Sequence, residues 1–203
     1  MGTMKAGKEP DGPCFVAGTL VHTKRGAVPI EQIRVGDLVL ARDAAGAAPL
    51  FKSVTRTVLH KEAQVLLVVL FPEGENDQRF LVCTIGTALL QTEGHGFMKV
   101  SCPDMFQAPA LTSLVGEYAC AYGAWPVLQT ETPGVAWTHR DDQDYFGPII
   151  DLRNGQIEVS DFFESSQPEG VLDDAFSTTV YGIEVSPQDA WFVGELGICV
   201  SYG

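Results

Sequence analysis

Cys14-Phe15-Val16-Ala17-Gly18-Thr19-Leu20-Val21, followed by Thr23, Gly26, Ile30-Glu31, Ile33 and Gly36-Asp37-Leu38-Val39-Leu40-Ala41, is the stretch that decides the fold. Residues 16–23 alternate and run into a turn at Lys24-Arg25-Gly26, the pattern of a short strand. Residues 37–41 form an apolar strand entered through Gly36. Further along, residues 64–71 are almost continuously apolar, which predicts a strand buried on both faces. Residues 80–84, 179–185 and 191–193 are further strand candidates. Turns built on Gly, Pro and Asp recur about every ten residues. No segment carries a long helical period, so the expected fold class is all-β.

Composition sets the outer bounds. With 203 residues, the chain is long enough for one large domain or two small ones. It is 45% hydrophobic and only 19% charged, so it can build a core and does not read as disordered. A net charge of −13 argues against nucleic acid or anionic lipid as a partner. The longest apolar run, residues 65–71, is far too short for a helix to span a bilayer. Residues 1–12 are polar, so no signal peptide is expected. Five cysteines lie far apart, with no C-x-x-C or zinc-finger spacing. Cys83, Cys102, Cys120 and Cys199 are expected to be buried as small hydrophobes. No metal and no cofactor is expected.

Two regional features stand out. Val35-Gly36-Asp37-Leu38-Val39-Leu40-Ala41 is echoed by Val115-Gly116-Glu117-Tyr118-Ala119-Cys120-Ala121, which fits a fold of two similar halves. Residues 131–177 hold eleven acidic and two basic residues, hence −9 of the chain's −13. They read as a solvated surface insertion with a small hairpin across residues 149–159. The run Asp141-Asp142-Gln143-Asp144 matches no calcium-loop spacing.

The N-terminal block resembles the opening of Hint domains, the self-processing modules of inteins, Hedgehog C-terminal domains and bacterial polymorphic toxins. A second block, Thr92-Glu93-Gly94-His95-Gly96-Phe97, resembles the family's Thr-x-x-His motif, with Gly96 where a Pro often follows. A third, Thr179-Val180-Tyr181-Gly182-Ile183-Glu184-Val185 then Trp191-Phe192-Val193-Gly194-Glu195-Leu196-Gly197-Ile198-Cys199-Val200, resembles its closing strands. The resemblance is closest to bacterial intein-like and polymorphic-toxin Hint domains. It implies a horseshoe-shaped fold of two pseudo-symmetric halves, with an acidic insertion. Residues 1–13 would be a flanking segment and 14–203 the domain, with 131–177 inserted.

By the same resemblance, Cys14 is the nucleophile, and Pro13–Cys14 is the scissile bond. The thiol attacks the Pro13 carbonyl and converts the amide to a thioester; the thiolate is the better nucleophile. The amide nitrogen must be protonated to leave, a task the resemblance gives to His95, with Thr92 holding the distorted bond. The C-terminal end departs from the family. Ser201 and Tyr202 stand where His-Asn commonly closes the domain, Gly182 where an Asp is frequent, and Asp189 where a His is. Tyr202 has no side-chain amide to cyclise, so splicing is not expected. What remains is single-turnover cleavage of the chain's own flank, completed by water or by an external thiol, amine or alcohol. Two other readings compete: a degenerate Hint domain acting as a structural or interaction module, and a Cys14–His95 hydrolase acting on other molecules.

Overall fold

The computed structural model describes residues 10, 12–43, 48–72, 78–92, 96–100, 110–114, 119–139, 146–160, 170–186 and 190–201. Within them the chain forms β1 (Phe15–Val16), β2 (Leu20–Thr23), β3 (Gly26–Pro29), β4 (Leu38–Arg42), β5 (Leu50–Ser53), β6 (Arg56–Pro72), β7 (Arg79–Thr84), β8 (Ala88–Leu90) and β9 (Phe97–Lys99). There follow β10 (Ala110–Leu111), β11 (Ala119–Thr130), β12 (Val135–His139), β13 (Phe146–Asp151), β14 (Glu158–Val159), β15 (Val171–Ala175), β16 (Ser177–Glu184), β17 (Ala190–Val193) and β18 (Ile198–Ser201). One 3₁₀ turn, Ile30–Gln32, interrupts them, and no α-helix occurs among the described residues. The fold is all-β, as the strand-and-turn rhythm predicts.

The strands form two sheets. In the larger, β14-β13-β12-β11-β6-β16-β1-β7 lie side by side, with β10 and β15 also paired to β11. The smaller runs β3-β2-β4-β17-β18-β8-β9, with β5 on β4. Strand β6 pairs with β16 along its first half and with β7 along its second. Strand β1 pairs with both β16 and β7. These four strands therefore close a ring, with two-residue β1 as the closing piece. Long β6 must bend to serve both neighbours. The bend falls at Glu62, which has a left-handed φ of 58°, where the register against β16 slips between Thr178 and Val180. A bulge of this kind kinks a strand and sharpens its twist.

The alternation of residues along β6 explains how both faces are buried. Leu66, Val68 and Leu70 point into a core built from both sheets, shared with Phe15, Val21, Val39, Leu81, Leu89, Trp191 and Val200. Val65, Leu67 and Val69 point the other way, into a second core with Cys14, Val16, Val82, Trp125, Val127, Ala136, Ile150 and Phe176. Period two in the backbone is thus satisfied by two cores rather than by one core and water.

The second core corrects the reading of residues 131–177 as a solvated excursion. Strands β12, β13 and β14 extend the large sheet outward from β11, while β15 pairs with β11 beside them. Ala136, Trp137, Thr138 and Ile150 are buried. Among the described acidic residues, Glu131, Glu158 and Asp174 are exposed, while the apolar residues between them face inward. The hairpin expected across residues 149–159 is present as β13 and β14. The run at 141–144 lies outside the described residues. So does most of the second copy of the echo, 115–118; its last residues open β11.

Candidate active site

The C-terminal end of strand β1 is held by its own sequence block. After Val16, the Thr19 hydroxyl and amide both donate to the Val16 carbonyl, at 2.9 and 3.3 Å. The amide of Gly18 donates to the Glu31 carboxylate at 2.9 Å. Gly18 has φ +83°, and a Cβ there would lie 3.0 Å from the Gly155 carbonyl oxygen, so the turn needs glycine for conformation and for space. Phe15 is fully buried with its ring edge-on to Trp191, centroids 5.6 Å apart at 81°. Val16 faces the second core. The strand that follows Cys14 is therefore fixed by side chains on both faces.

Cys14 is fully buried. Its N–H donates to the Thr84 hydroxyl at 3.3 Å, and its carbonyl accepts the Thr84 amide at 2.9 Å. The Thr84 hydroxyl lies 3.3 Å from that of Thr87, which donates to the Thr84 carbonyl at 2.8 Å. All of these groups are buried. On the opposite side is β16. Phe15 pairs with Tyr181, so Cys14 falls opposite Gly182. A Cβ on Gly182 would lie 2.9 Å from the Pro13 carbonyl oxygen and 3.0 Å from Cys14 Sγ. The thiol, the carbonyl it would attack and the nitrogen that would leave are thus gathered between Thr84 and Gly182.

Burial dominates the electrostatics. It pushes the Cys14 thiol up to about 12. It does the same to Cys83, where the Thr87 hydroxyl draws the value back and the charge on Cys14 adds to it. Cys199 also rises to about 12 through burial, with Arg42 opposing. Cys83 and Cys199 are fully buried, as expected for small hydrophobes. Cys102 and the Cys120 side chain lie outside the described residues. Among the described residues, no group of three or more His, Cys, Asp or Glu side chains is placed to hold a metal.

The chain folds as a Hint domain. Residues 13–79 match the Hint domain family. A bacterial intein-like domain from Clostridium thermocellum has the same fold, with a TM-score of 0.57 at 18% identity, over 93% of this chain and 97% of that one. A DnaB intein from Synechocystis sp. PCC 6803 superposes with a TM-score of 0.51 at 10% identity, over 93% and 99%. A variant of the gp41-1 intein gives 0.51 at 16%, over 94% and 99%. At these identities the likeness is one of fold. No curated protein matches at the level of sequence.

Within this fold the sequence-predicted residues are only partly gathered. Cys14, Pro13 and Gly182 meet, as described. Thr92 is elsewhere: its amide and hydroxyl both donate to the Ala110 carbonyl, at 2.9 and 3.3 Å. It lies five positions after Thr87, with the three residues of β8 between them. His95, Asp189 and Tyr202 lie outside the described residues. Ser201 is buried and pairs with Ala88, next to Thr87, so the last strand ends beside the site. Sequence reasoning missed Thr84 and Thr87. The available signal was Thr84-Ile85-Gly86-Thr87, which has the motif's Thr-x-x spacing directly after an apolar strand. Its fourth residue is Thr, which hid it behind Thr92–His95.

Proposed function

We propose that this Hint domain acts once on its own chain, by an N-to-S acyl shift at the Pro13–Cys14 bond. The observation that supports this reading is the convergence of Sγ, the Pro13 carbonyl and the Cys14 amide between Thr84 and Gly182. Cys14 Sγ bonds to the Pro13 carbonyl carbon, the C–N bond breaks, and the thiol proton ends on the freed amine. The resulting thioester is cleaved by water or by an external thiol, amine or alcohol. The substrate is the chain's own flanking polypeptide. The intein names of the structural neighbours agree with self-processing chemistry. Splicing is not part of the proposal, because Tyr202 offers no side-chain amide for cyclisation and Ser201 no imidazole.

The same site argues for slow chemistry. A thiol at about 12 is almost wholly protonated at neutral pH. The group on the leaving nitrogen is a hydroxyl that accepts its N–H, backed by a second hydroxyl. Neither hydroxyl donates a proton readily at pH 7. The Pro13 ring also crowds the carbonyl. These observations favour a second reading, an inert Hint module in which the same residues serve only to close the β ring.

Intact mass of the purified protein, incubated with and without 2-mercaptoethanesulfonate at pH 7 to 10, separates the two. Self-processing gives a species beginning at Cys14 and the peptide of residues 1–13 as its thioester, and Cys14→Ala abolishes both. Release from Cys14→Ala would exclude the mechanism. An intact wild-type chain throughout, with hydroxylamine also present, would establish the inert module.

A further inference from the structure

The turn between β13 and β14 carries the pair Asn154-Gly155, and both residues are exposed. Of the chain's two asparagines, Asn76 and Asn154, only Asn154 precedes a glycine. Gly155 has a left-handed φ of +69°, and nothing lies within 4 Å of the place where a side chain would stand. Among the described residues, no group accepts the Gly155 N–H. The Asn154 carboxamide donates to the Glu158 carboxylate at 3.3 Å, one bond between two exposed side chains that water readily replaces. We propose that Asn154 is a site of spontaneous deamidation, and that its isoaspartyl product loosens the turn that ends β1. The modification does not require the acyl shift.

The Gly155 nitrogen gives its proton to water and bonds to Asn154 Cγ. The Cγ–Nδ2 bond breaks and ammonia leaves, closing a five-membered succinimide. Water then opens the ring. Attack at Cγ gives aspartate, with the main chain unchanged. Attack at the α-carbonyl gives isoaspartate, whose main chain runs through Cγ and is one methylene longer. Glycine favours the closure because no side chain shields its nitrogen and its backbone turns freely. The added methylene falls just before the atoms that touch β1's turn. The Gly155 carbonyl oxygen is 3.0 Å, Gln156 Cα 3.1 Å and the Ile157 nitrogen 3.4 Å from where a Cβ on Gly18 would stand. Gly18 lies four positions after Cys14, and its N–H is held by Glu31 at 2.9 Å. The ends of the turn are fixed, because Ile150 pairs with Val159 and Asp151 with Glu158. Extra length inside it therefore shifts the atoms packed on Gly18.

The test ages the full chain at pH 8 and 37 °C and follows the peptides holding Asn76 and Asn154 by mass. Chromatography separates their aspartyl and isoaspartyl forms. Asn154 is expected to convert at least tenfold faster than Asn76. Asn154→Gln, which would need a six-membered ring, should show no conversion at that position. Conversion of Asn154 no faster than that of Asn76 would overturn the site. The consequence is read from hydrogen exchange at the Gly18 amide, which reports local opening. In the isoaspartyl fraction that amide should exchange at least tenfold faster than in fresh protein, with β18 still protected. Asn154→Asp adds the charge without the methylene and should match fresh protein, as should Asn154→Gln aged alongside. Unchanged exchange in the isoaspartyl fraction would overturn the link to Gly18. Equal acceleration in Asn154→Asp or in aged Asn154→Gln, or lost protection of β18, would overturn it too, because charge, other ageing or global damage would then be the cause.

Discussion

At the scale of single residues, the candidate site is Cys14 between Thr84 and Gly182, and burial holds its thiol protonated. A thiol at about 12 gains thiolate tenfold for each pH unit below that value. If thiolate attack limits the reaction, thiol-induced release should rise about tenfold per unit between pH 7 and 10. A flat profile over that range would show that ionisation of Cys14 is not limiting. The second barrier is the leaving nitrogen, which meets Thr84 and then Thr87, both neutral hydroxyls. Thr87→His places a proton donor behind Thr84. Proton relays of that kind typically contribute on the order of 10²-fold or more, so release at pH 7 should rise by about that factor. Timed intact-mass measurement checks it, and an unchanged rate would mean that nitrogen protonation is not what slows the step.

At the scale of elements, the acidic stretch matters most. Composition gives residues 131–177 the character of a surface excursion. Their strands instead lie along β11, and Ala136, Ile150 and Phe176 enter the core that contains Cys14 and Val16. The turn at Gly155 and Gln156 also packs on Gly18, the turn that ends β1. Replacing 131–177 by a short Gly-Ser linker should therefore abolish cooperative melting. Exposing several large apolar side chains costs about 1.5–3 kcal/mol each, against a typical total stability of about 5–15 kcal/mol. A linker variant with wild-type thermal unfolding would show that these strands are an appendage after all.

At the scale of the whole molecule, the buried thiols make alkaline pH a stability variable. Cys14, Cys83 and Cys199 ordinarily ionise near 9.0 and are held up to about 12 by burial. Below 9 both the folded and unfolded states keep these protons. Between about 9 and 12 the unfolded state loses them first, so stability falls as pH rises. Each thiol contributes a slope of roughly 1.4 kcal/mol per pH unit. Urea unfolding between pH 8 and 10.5 should show the decline, and Cys199→Ala should make it shallower by about a third. A pH-independent midpoint would mean that the thiols ionise as easily folded as unfolded.

The sequence by itself determined the all-β class and about half of the strands, because period two and turn residues act locally. Residues 64–71 read as buried on both faces, and 65–70 are, with Gln64 and Phe71 half-buried at the ends. The block from Cys14 to Ala41 was legible for a physical reason. Thr19 bonds back to Val16 and Glu31 reaches Gly18 from thirteen residues on, so the setting of β1 is encoded within the same block. Only the tertiary structure could decide which threonines meet Cys14, since Thr84 lies 70 positions away and arrives through the pairing of β1 with β7. It alone could place Gly182 against Pro13, a contact made by an absent side chain. It also turned the acidic stretch into sheet. Charge reports the exposed positions of a strand, and whether the alternate positions face water or a core depends on what packs against them.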